Sequence, residues 1–406
     1  MTPAIRNYLI ITGNYWAFTL TDGALRMLVV LHFHQLGYSP LAIAMLFLFY
    51  EFFGVVTNLV GGWLGARLGL NRTMNTGLFL QIVALGMLTV PAPWLTVPWV
   101  MAAQALSGIA KDLNKMSAKS SIKLLVPDEQ QGQLYKWVAL LTGSKNTLKG
   151  LGFFLGGALL AGLGFTGSVL AMALVLGAVW LASLVLLSEA TGQASNKPKF
   201  RDILSKSRAI NVLSAARLFL FGARDVWFVV ALPVYLSTAF GWDFWQVGGF
   251  LAVWIMGYGV VQSQAPHFTG RDGGKAGAGK AAFSWCALLA LTPALIALGM
   301  HGGLPTQPVL LGGLLLFGAL FAINSSLHSY LIVSHAKADG VSMDVGFYYM
   351  SNAMGRLVGT VLSGWVFQAY GLIACLWVSA VFLVLAAMIV LGLEGDESVG
   401  PRTSDV

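Results

Sequence analysis

The sequence predicts an all-α integral membrane protein of about twelve transmembrane helices in two six-helix halves. Three observations predict it. The 406 residues are 57% hydrophobic and 10% charged, with a mean hydropathy of +0.76, far too apolar for a domain that folds in water. Apolar runs of about 20 residues, the length that crosses a hydrocarbon core of about 30 Å, recur from end to end. Basic residues then alternate between connections. Of 24 Lys and Arg, fifteen lie in the termini and in every second connection: Arg6, Arg67, Arg72, Lys123, Lys136, Lys197, Lys199, Arg201, Lys206, Arg208, Arg271, Lys275, Lys280, Lys337 and Arg402. The intervening connections (GYSP, PAPWLTVP, GLGFTG, AFGWDF, HGGLPTQP) have none. Cytoplasmic loops carry the excess of Lys and Arg, so both termini are expected in the cytoplasm and the chain in the inner membrane as a multi-pass protein. The formal charge of +8 is thereby explained without nucleic acid.

The spans are expected near 8–35, 41–65, 73–90, 97–120, 134–162, 167–187, 209–238, 245–267, 281–299, 308–333, 345–369 and 372–393. The first is too long for a cleavable signal peptide and leads straight into the second. It holds Asp22 and Arg26, four apart with the acid first, the favourable order on a helix. They form an intrahelical ion pair, or Arg26 faces a cargo with Asp22 orienting it or carrying a proton. His32 and His34, near the outer end, read as surface or packing residues. The second span carries Glu51 among aromatics in FLFYEFFGVV, a proton-coupling candidate or else a buried, hydrogen-bonded acid. It ends in the glycine-rich GGWLGARLGLNR.

The fourth and fifth spans, with the turn between them, read SGIAKDLNKMSAKSSIKLLVPDEQQGQLYKWVALLTGSKNTLKGLGFFLGG and dominate the chain's chemistry. Lys111, Lys115 and Lys119 recur every fourth residue and share one helical face, with Asp112 beside them; Lys145 and Lys149 do the same on the next run. Like charges at that spacing repel, and each costs about 2.5–3.5 kcal/mol to place at the centre of a membrane helix on insertion scales. The pattern requires a wet cavity, an acidic partner or a bound anion. Gly150, Gly152, Gly156 and Gly157, further along the fifth span, read as a close-packing face.

Residues 189–208, SEATGQASNKPKFRDILSKSR with its flanking Ser188, form the longest polar interruption and divide residues 1–188 from residues 209–393, leaving 394–406 as a polar cytoplasmic tail. An internal repeat agrees. Gly37 precedes Arg67 by the same interval as Gly241 precedes Arg271, and GARLG echoes in GRDGG. The seventh span corresponds to the first and places Arg224 and Asp225 mid-membrane; Arg217 and Arg224 share its face, while Asp225 points to another helix. The tenth holds Asn324, Ser325 and His328 as a polar stripe, and the eleventh holds Asn352 and Arg356. Cys286 and Cys375 stand singly as small buried hydrophobes, and no grouping has metal-ligand spacing, so no metal or cofactor is expected.

Nine basic residues fall within the spans: Arg26, Lys111, Lys115, Lys119, Lys145, Lys149, Arg217, Arg224 and Arg356. Four acids oppose them: Asp22, Glu51, Asp112 and Asp225. Setting aside Lys119 and Arg217, which can snorkel to the cytoplasmic surface, the excess of positive charge persists. An unmatched buried ion carries a penalty of several kcal/mol. A mobile polyanion is therefore expected as cargo, gripped by phosphate or carboxylate groups. Arg26 and Arg224, on repeat-related helices, are the first-choice clamps, with Lys111, Lys115, Lys145 and Lys149 on one wall. Arg356, Asn324 and His328 complete the candidate binding set. Asp22, Glu51, Asp112 and Asp225 are proton-coupling or ion-pair residues. With no nucleotide-binding P-loop, a proton gradient acting through Glu51, Asp22 or Asp225 is the expected energy source, and antiport against phosphate is the alternative. A membrane-embedded enzyme would need a His–Asp or metal constellation, which the sequence lacks.

Twelve spans in two halves, the glycine-rich turn after the second and its echo after the eighth resemble the major facilitator superfamily. Gly62, Arg67 and Gly69 match that family's turn motif, and Ala66 stands at its aspartate position. NYWAFTLTDGALRMLVVLHFHQLGYSP, LFYEFFGVVTNLVGGWLGARLGLNRTMN, ALSGIAKDLNKMSAKSSIKLLVPD, QGQLYKWVALLTGSKNTLKG and FGARDVWFVVALPVYL resemble the ArsJ organoarsenical efflux transporters, over nearly the whole chain. The resemblance implies the major facilitator fold, helices 1, 4, 7 and 10 around a central cationic cavity, and alternating access. It also implies export of 1-arseno-3-phosphoglycerate, made by a partner cytoplasmic glyceraldehyde-3-phosphate dehydrogenase acting with arsenate. The residues alone reach only an organic polyanion, which leaves an organophosphate/phosphate antiporter as the second reading. The chain is expected to act as a monomer.

Overall fold

A computed structural model describes residues 3–38, 46–127, 130–187, 193–194, 199, 206–269 and 278–396. Among them, all regular structure is helical. In chain order the helices are α1 Pro3–Gln35, α2 Leu48–Leu68, α3 Leu70–Met87, α4 Val97–Leu125, α5 Gln131–Leu186, α6 Arg208–Phe228, α7 Ala231–Phe240, α8 Phe244–Thr269, α9 Ala278–His301, α10 Thr306–His335 and α11 Val341–Val390, followed by a 3₁₀ turn Leu391–Asp396. Where they lie on described residues, which excludes 41–45 of the second, the expected spans fall on helices, with three differences of detail.

The fifth and sixth spans run on as α5, and the eleventh and twelfth as α11. Each long helix is interrupted at one glycine, Gly164 (φ 68°, ψ −179°) and Gly371 (φ 77°, ψ −177°). That backbone region is essentially open to glycine alone, so a single residue turns the chain without a loop. The seventh span, by contrast, splits into α6 and α7. Pro233 has no N–H and its ring displaces the carbonyl four residues earlier, so the helix cannot pass through Val229 and Val230. The N–H groups of Val230 and Ala231, freed by the break, donate instead to the Ser363 hydroxyl, at 3.3 and 3.1 Å. In a medium without water such a substitute acceptor is required.

The chain divides into two compact units. Unit 1 comprises Met1–Pro127, Leu141–Leu204 and Lys337–Met350; unit 2 comprises Asp128–Leu140, Ser205–Ala336 and Ser351–Val406. The first turns of α5 thus belong to unit 2 and those of α11 to unit 1.

In unit 1, α4 is the central element, packed on α1, α2 and α3, and every residue from 112 to 123 is buried. In unit 2, α10 takes that place, packed on α6, α8 and α9, with residues 320–334 all buried. Both stretches are rich in lysine, serine, asparagine or histidine. Meanwhile Leu174 and Val185 are 74% and 84% exposed, as are many other large apolar side chains. Polar inside and apolar outside is the reverse of a water-soluble protein, and it fits helices solvated by lipid. Among the described residues, five helical stretches are long and apolar enough to cross a membrane: Gln131–Leu186, Arg208–Phe240, Gly279–His301, Thr306–His335 and Val341–Leu393. The lysine-bearing α4 is not among them, since its polar residues are spent on the interior.

Glycines mark the repeat in three dimensions. In unit 1, Gly152 and Gly156 of α5 lie against the α1 backbone, where a Cβ at Gly152 would come within 2.7 Å of the Leu20 carbonyl. In unit 2, Gly355 and Gly359 of α11 lie against α6, where a Cβ at Gly359 would come within 2.8 Å of the Gly222 carbonyl. The Arg271 partner of the sequence echo, Lys275, most of the 189–208 linker and the tail from 397 lie outside the described residues.

Candidate functional site

The sequence-predicted residues assemble into one cluster per unit. In unit 1, α1 and α5 are held together by the close glycine contacts and by Trp16, whose indole N–H donates to the Ser144 hydroxyl at 2.8 Å. Asp22 accepts from the Tyr50 hydroxyl at 2.8 and 3.0 Å. Arg26 reaches Glu51 at 3.3 Å and lies 5.0 Å from the ring centres of both Phe47 and Tyr50. The intrahelical Asp22–Arg26 pair is thus replaced by two contacts to α2, and Glu51 is not a lone carboxylate. Side chains four apart on a helix are neighbours, but a partner on the facing helix can approach more closely.

On α4, Asp112 serves two lysines, Lys115 at 2.6 Å and Lys111 at 3.9 Å. Gly54 of α2 leaves room for that carboxylate, 3.1 Å from where a Cβ would stand. The Lys111 ammonium caps the Tyr50 ring at 3.8 Å, and Lys115 and Lys119 lie 4.6 and 5.1 Å from the Tyr349 ring centre. Lys119 donates to the Thr142 hydroxyl at 2.6 Å. It is 2% exposed and does not snorkel. Facing this set from α5, Lys145 is within electrostatic range of Lys115, Lys149, Lys119 and Lys111, and every one of those charges repels it.

In unit 2, Asp225 is fully buried and again serves two cations: Arg224 beside it at 2.5 Å, and Arg356 of α11 at 3.1 Å. Asp225 therefore does reach another helix as expected, but it holds its sequence neighbour as well. Gly359 permits this, since a Cβ there would come within 3.0 Å of the Asp225 Cβ. Arg217 and Arg224 share a face, with the Phe221 ring between them at 3.9 and 4.9 Å. Arg217 is 2% exposed and donates to Asn352 Oδ1 (3.0 Å) and the Ser325 carbonyl (3.2 Å), so it too does not snorkel. Asn324 donates to the carbonyls of Trp285 and Leu320, which turns its amide toward α9. His328 is fully buried, and neither ring nitrogen has a hydrogen-bond partner.

Tyr50, Tyr349 and Thr142 belong to the unit 1 cluster and were not foreseen. Tyr50 could have been suspected from its place beside Glu51; the other two carry no local signal. Chemically, each cluster shares one carboxylate between two cations. Of the charged residues counted within the expected spans, the six basic ones of unit 1 (Arg26, Lys111, Lys115, Lys119, Lys145, Lys149) face three acids, and the three of unit 2 (Arg217, Arg224, Arg356) face one. Groups so arranged can hold anions by charge-assisted hydrogen bonds. Among the described residues no group of His, Cys, Asp and Glu is placed to hold a metal. Cys286 and Cys375 are free and buried.

A sequence model described as "Major Facilitator Superfamily" matches residues 9–342. No curated protein sequence matches the chain. Among solved structures, the human organic anion transporter MFSD10 (TETRAN) superposes with a TM-score of 0.76 at 17% identity, covering 96% of this chain and 100% of the other. A bacterial homologue of the iron transporter ferroportin, in its outward-facing state, gives 0.74 at 15%, covering 96% and 99%. The Escherichia coli fucose:proton symporter gives 0.73 at 13%, covering 96% and 98%. At these identities the likeness is one of fold.

Proposed function

Because the chain belongs to the major facilitator superfamily and is a membrane transporter rather than an enzyme, we propose that it is a secondary active exporter of an organic polyanion. Its cargo on this reading is 1-arseno-3-phosphoglycerate, moved by alternating access. The carrying observation is the double use of each buried carboxylate. Asp112 between Lys111 and Lys115, and Asp225 between Arg224 and Arg356, each leave one positive charge over. Lys145 adds a cation on which, among the described residues, the charges that act most are those of four lysines. A set of fixed charges that is stable only when an anion joins it suits a carrier, which must hold its passenger and then release it.

The proposed binding residues are Arg26, Lys111, Lys115, Lys145, Lys149, Arg224 and Arg356. Asn324 and His328 are kept as second-choice members, since Asn324 is already engaged by backbone carbonyls. The acids Asp22, Glu51, Asp112 and Asp225 all have partners, which supports an ion-pair role for them. The arsenic in the proposed cargo comes from the family resemblance, and a cytoplasmic glyceraldehyde-3-phosphate dehydrogenase would supply the ester. The protein is placed, on the same reading, in the inner membrane as a monomer with both termini in the cytoplasm. Arsenate and phosphate groups are alike in charge and shape, so an ordinary phosphate ester exchanged for phosphate uses the same residues.

The test is uptake into everted vesicles. Glyceraldehyde-3-phosphate, its dehydrogenase, nicotinamide cofactor and arsenate are supplied outside, and arsenic is counted inside. Transporter-dependent arsenic uptake that requires the dehydrogenase supports the proposal. Uptake of labelled 3-phosphoglycerate with no arsenic transport would move the protein to the organophosphate class. No uptake of any organic anion would overturn the reading.

A further inference from the structure

The two clusters use different cations, and the difference carries chemical information. Unit 2 offers arginines only; the α4–α5 face of unit 1 offers lysines only. A guanidinium is a planar fork that matches a flat carboxylate, or one edge of a phosphate, in two parallel hydrogen bonds. An ammonium is a compact point charge with three divergent donors and no preferred plane. Several ammoniums converging from two helices therefore suit a compact tetrahedral anion, which presents oxygens in every direction, better than a planar one.

The positions of the five lysines fit that use. Lys111 and Lys115 are steadied by Asp112 and by the Tyr50 and Tyr349 rings; Lys119 is steadied by Thr142 and the Tyr349 ring. Each of the three is thus pinned on one side. Lys145 is not pinned: it stands one helical turn beyond Thr142, the hydroxyl that Lys119 donates to, so it lies on the α5 face turned to the α4 lysines, and it has no hydrogen-bond or acidic partner among the described residues. A halide could neutralise part of this charge. It brings a single negative charge, where a sulfate or hydrogenphosphate dianion brings two.

We infer that the Lys111, Lys115, Lys119, Lys145 and Lys149 cluster of unit 1 is a binding site for a tetrahedral oxyanion, with Lys145 as its central donor, and that it takes free inorganic phosphate, arsenate or sulfate as well as the same group on an organic ester. This rests on the polyanion reading above and adds two statements to it. The tetrahedral head is assigned to unit 1 rather than to the arginines of unit 2. Inorganic phosphate, moreover, is itself a ligand of the transporter and competes with the cargo.

The experiment uses the full chain, purified in lipid-free detergent so that no phospholipid headgroup is present. Titration calorimetry and thermal unfolding are followed with inorganic phosphate, arsenate, sulfate, malonate and chloride at matched ionic strength, and with glycerol 3-phosphate as the ester arm. The three oxyanions are expected to bind and to raise the unfolding temperature, with malonate and chloride weaker. Lys145→Gln should lose about tenfold in phosphate affinity, the weight of one charge-assisted hydrogen bond. Lys145→Arg should recover part of it, and Lys280→Gln, at the exposed start of α9 and in neither cluster, should leave it unchanged. Equal binding of malonate or chloride, or undiminished phosphate binding by Lys145→Gln, overturns the inference. So does binding of glycerol 3-phosphate without binding of inorganic phosphate. Phosphate binding as stated, in a protein that moves no organic anion into vesicles, would overturn the proposed function alone. Transport with no inorganic oxyanion binding would overturn this inference alone.

Discussion

Asp112 and Asp225 each serve two cations with one carboxylate, so removing either acid takes a partner from both. Breaking an ordinary buried pair costs about 3–5 kcal/mol, because the surviving ion stays desolvated and alone. Asp225→Asn would take the shared carboxylate from both Arg224 and Arg356 at a fully buried position, and the yield of folded protein should collapse. Arg356→Gln retains Arg224 on the carboxylate and should fold; an equal loss in both variants, read by size-exclusion profile and unfolding temperature, would show that the shared geometry is not what matters. Lys145 predicts the opposite sign. The charges that act on it most are those of four lysines, so Lys145→Gln removes repulsion and should raise the unfolding temperature in phosphate-free buffer, while Lys115→Gln should lower it by freeing half of Asp112. A fall in both variants would mean that Lys145 is compensated after all. The lysine spacing was readable in the sequence because it is local. That Glu51 would meet Arg26, and that Tyr349 would lie against Lys115 and Lys119, was not, because those contacts join residues on different helices.

The helix pairs that frame the two clusters depend on glycine at matched places. Gly152 and Gly156 bring α5 onto α1, and Gly355 and Gly359 bring α11 onto α6. Gly156→Val and Gly355→Val would each drive a side chain into facing backbone rather than into a flexible neighbour, and backbone cannot yield as a side-chain tip can. Both should lose folded protein in the membrane fraction, whereas Gly162→Ala, where nothing lies within 4 Å, should not. Gly164→Ala tests a different demand, since only the φ/ψ region is at stake; a cost of about 1–3 kcal/mol is expected with the fold intact. The GxxxG spacing of α5 announced its packing role in the sequence. The break between α6 and α7 could also have been read, from Pro233, but a continuously apolar run masks a kink when hydropathy alone sets the boundaries. The two hinge glycines were harder to see. A glycine at φ > 0 leaves no mark that separates it from the many glycines of a packing face.

On the scale of the whole molecule, the polar residues lie inward and the apolar ones outward, which is why composition and the alternation of basic loops disclosed the fold so readily. The division into units was less legible. Hydropathy places a single boundary at the 189–208 linker, yet residues 130–140 and 337–350 pack within the opposite units, since packing is decided by tertiary contact and not by chain order. The excess of fixed positive charge also has an energetic consequence for transport. Those charges remain with the protein throughout a cycle, so the only charge that crosses the membrane is the cargo's own, together with whatever ion returns. A cell holds its interior negative, and each negative charge carried outward gains about 2.3 kcal/mol per 100 mV. A polyanion exported alone is therefore driven by the membrane potential with no need of a proton-carrying carboxylate, in keeping with four acids that are all occupied. In everted vesicles, an inside-positive potential set by potassium and valinomycin at equal pH should accelerate uptake of the organic anion, and collapsing a pH gradient alone should leave it unchanged. Exchange for phosphate of equal charge would be insensitive to both and would instead require phosphate inside the vesicle. Uptake that followed only the pH gradient would return the coupling role to Asp22, Glu51 or Asp225, and neutralising each in turn would identify which of them carries the proton.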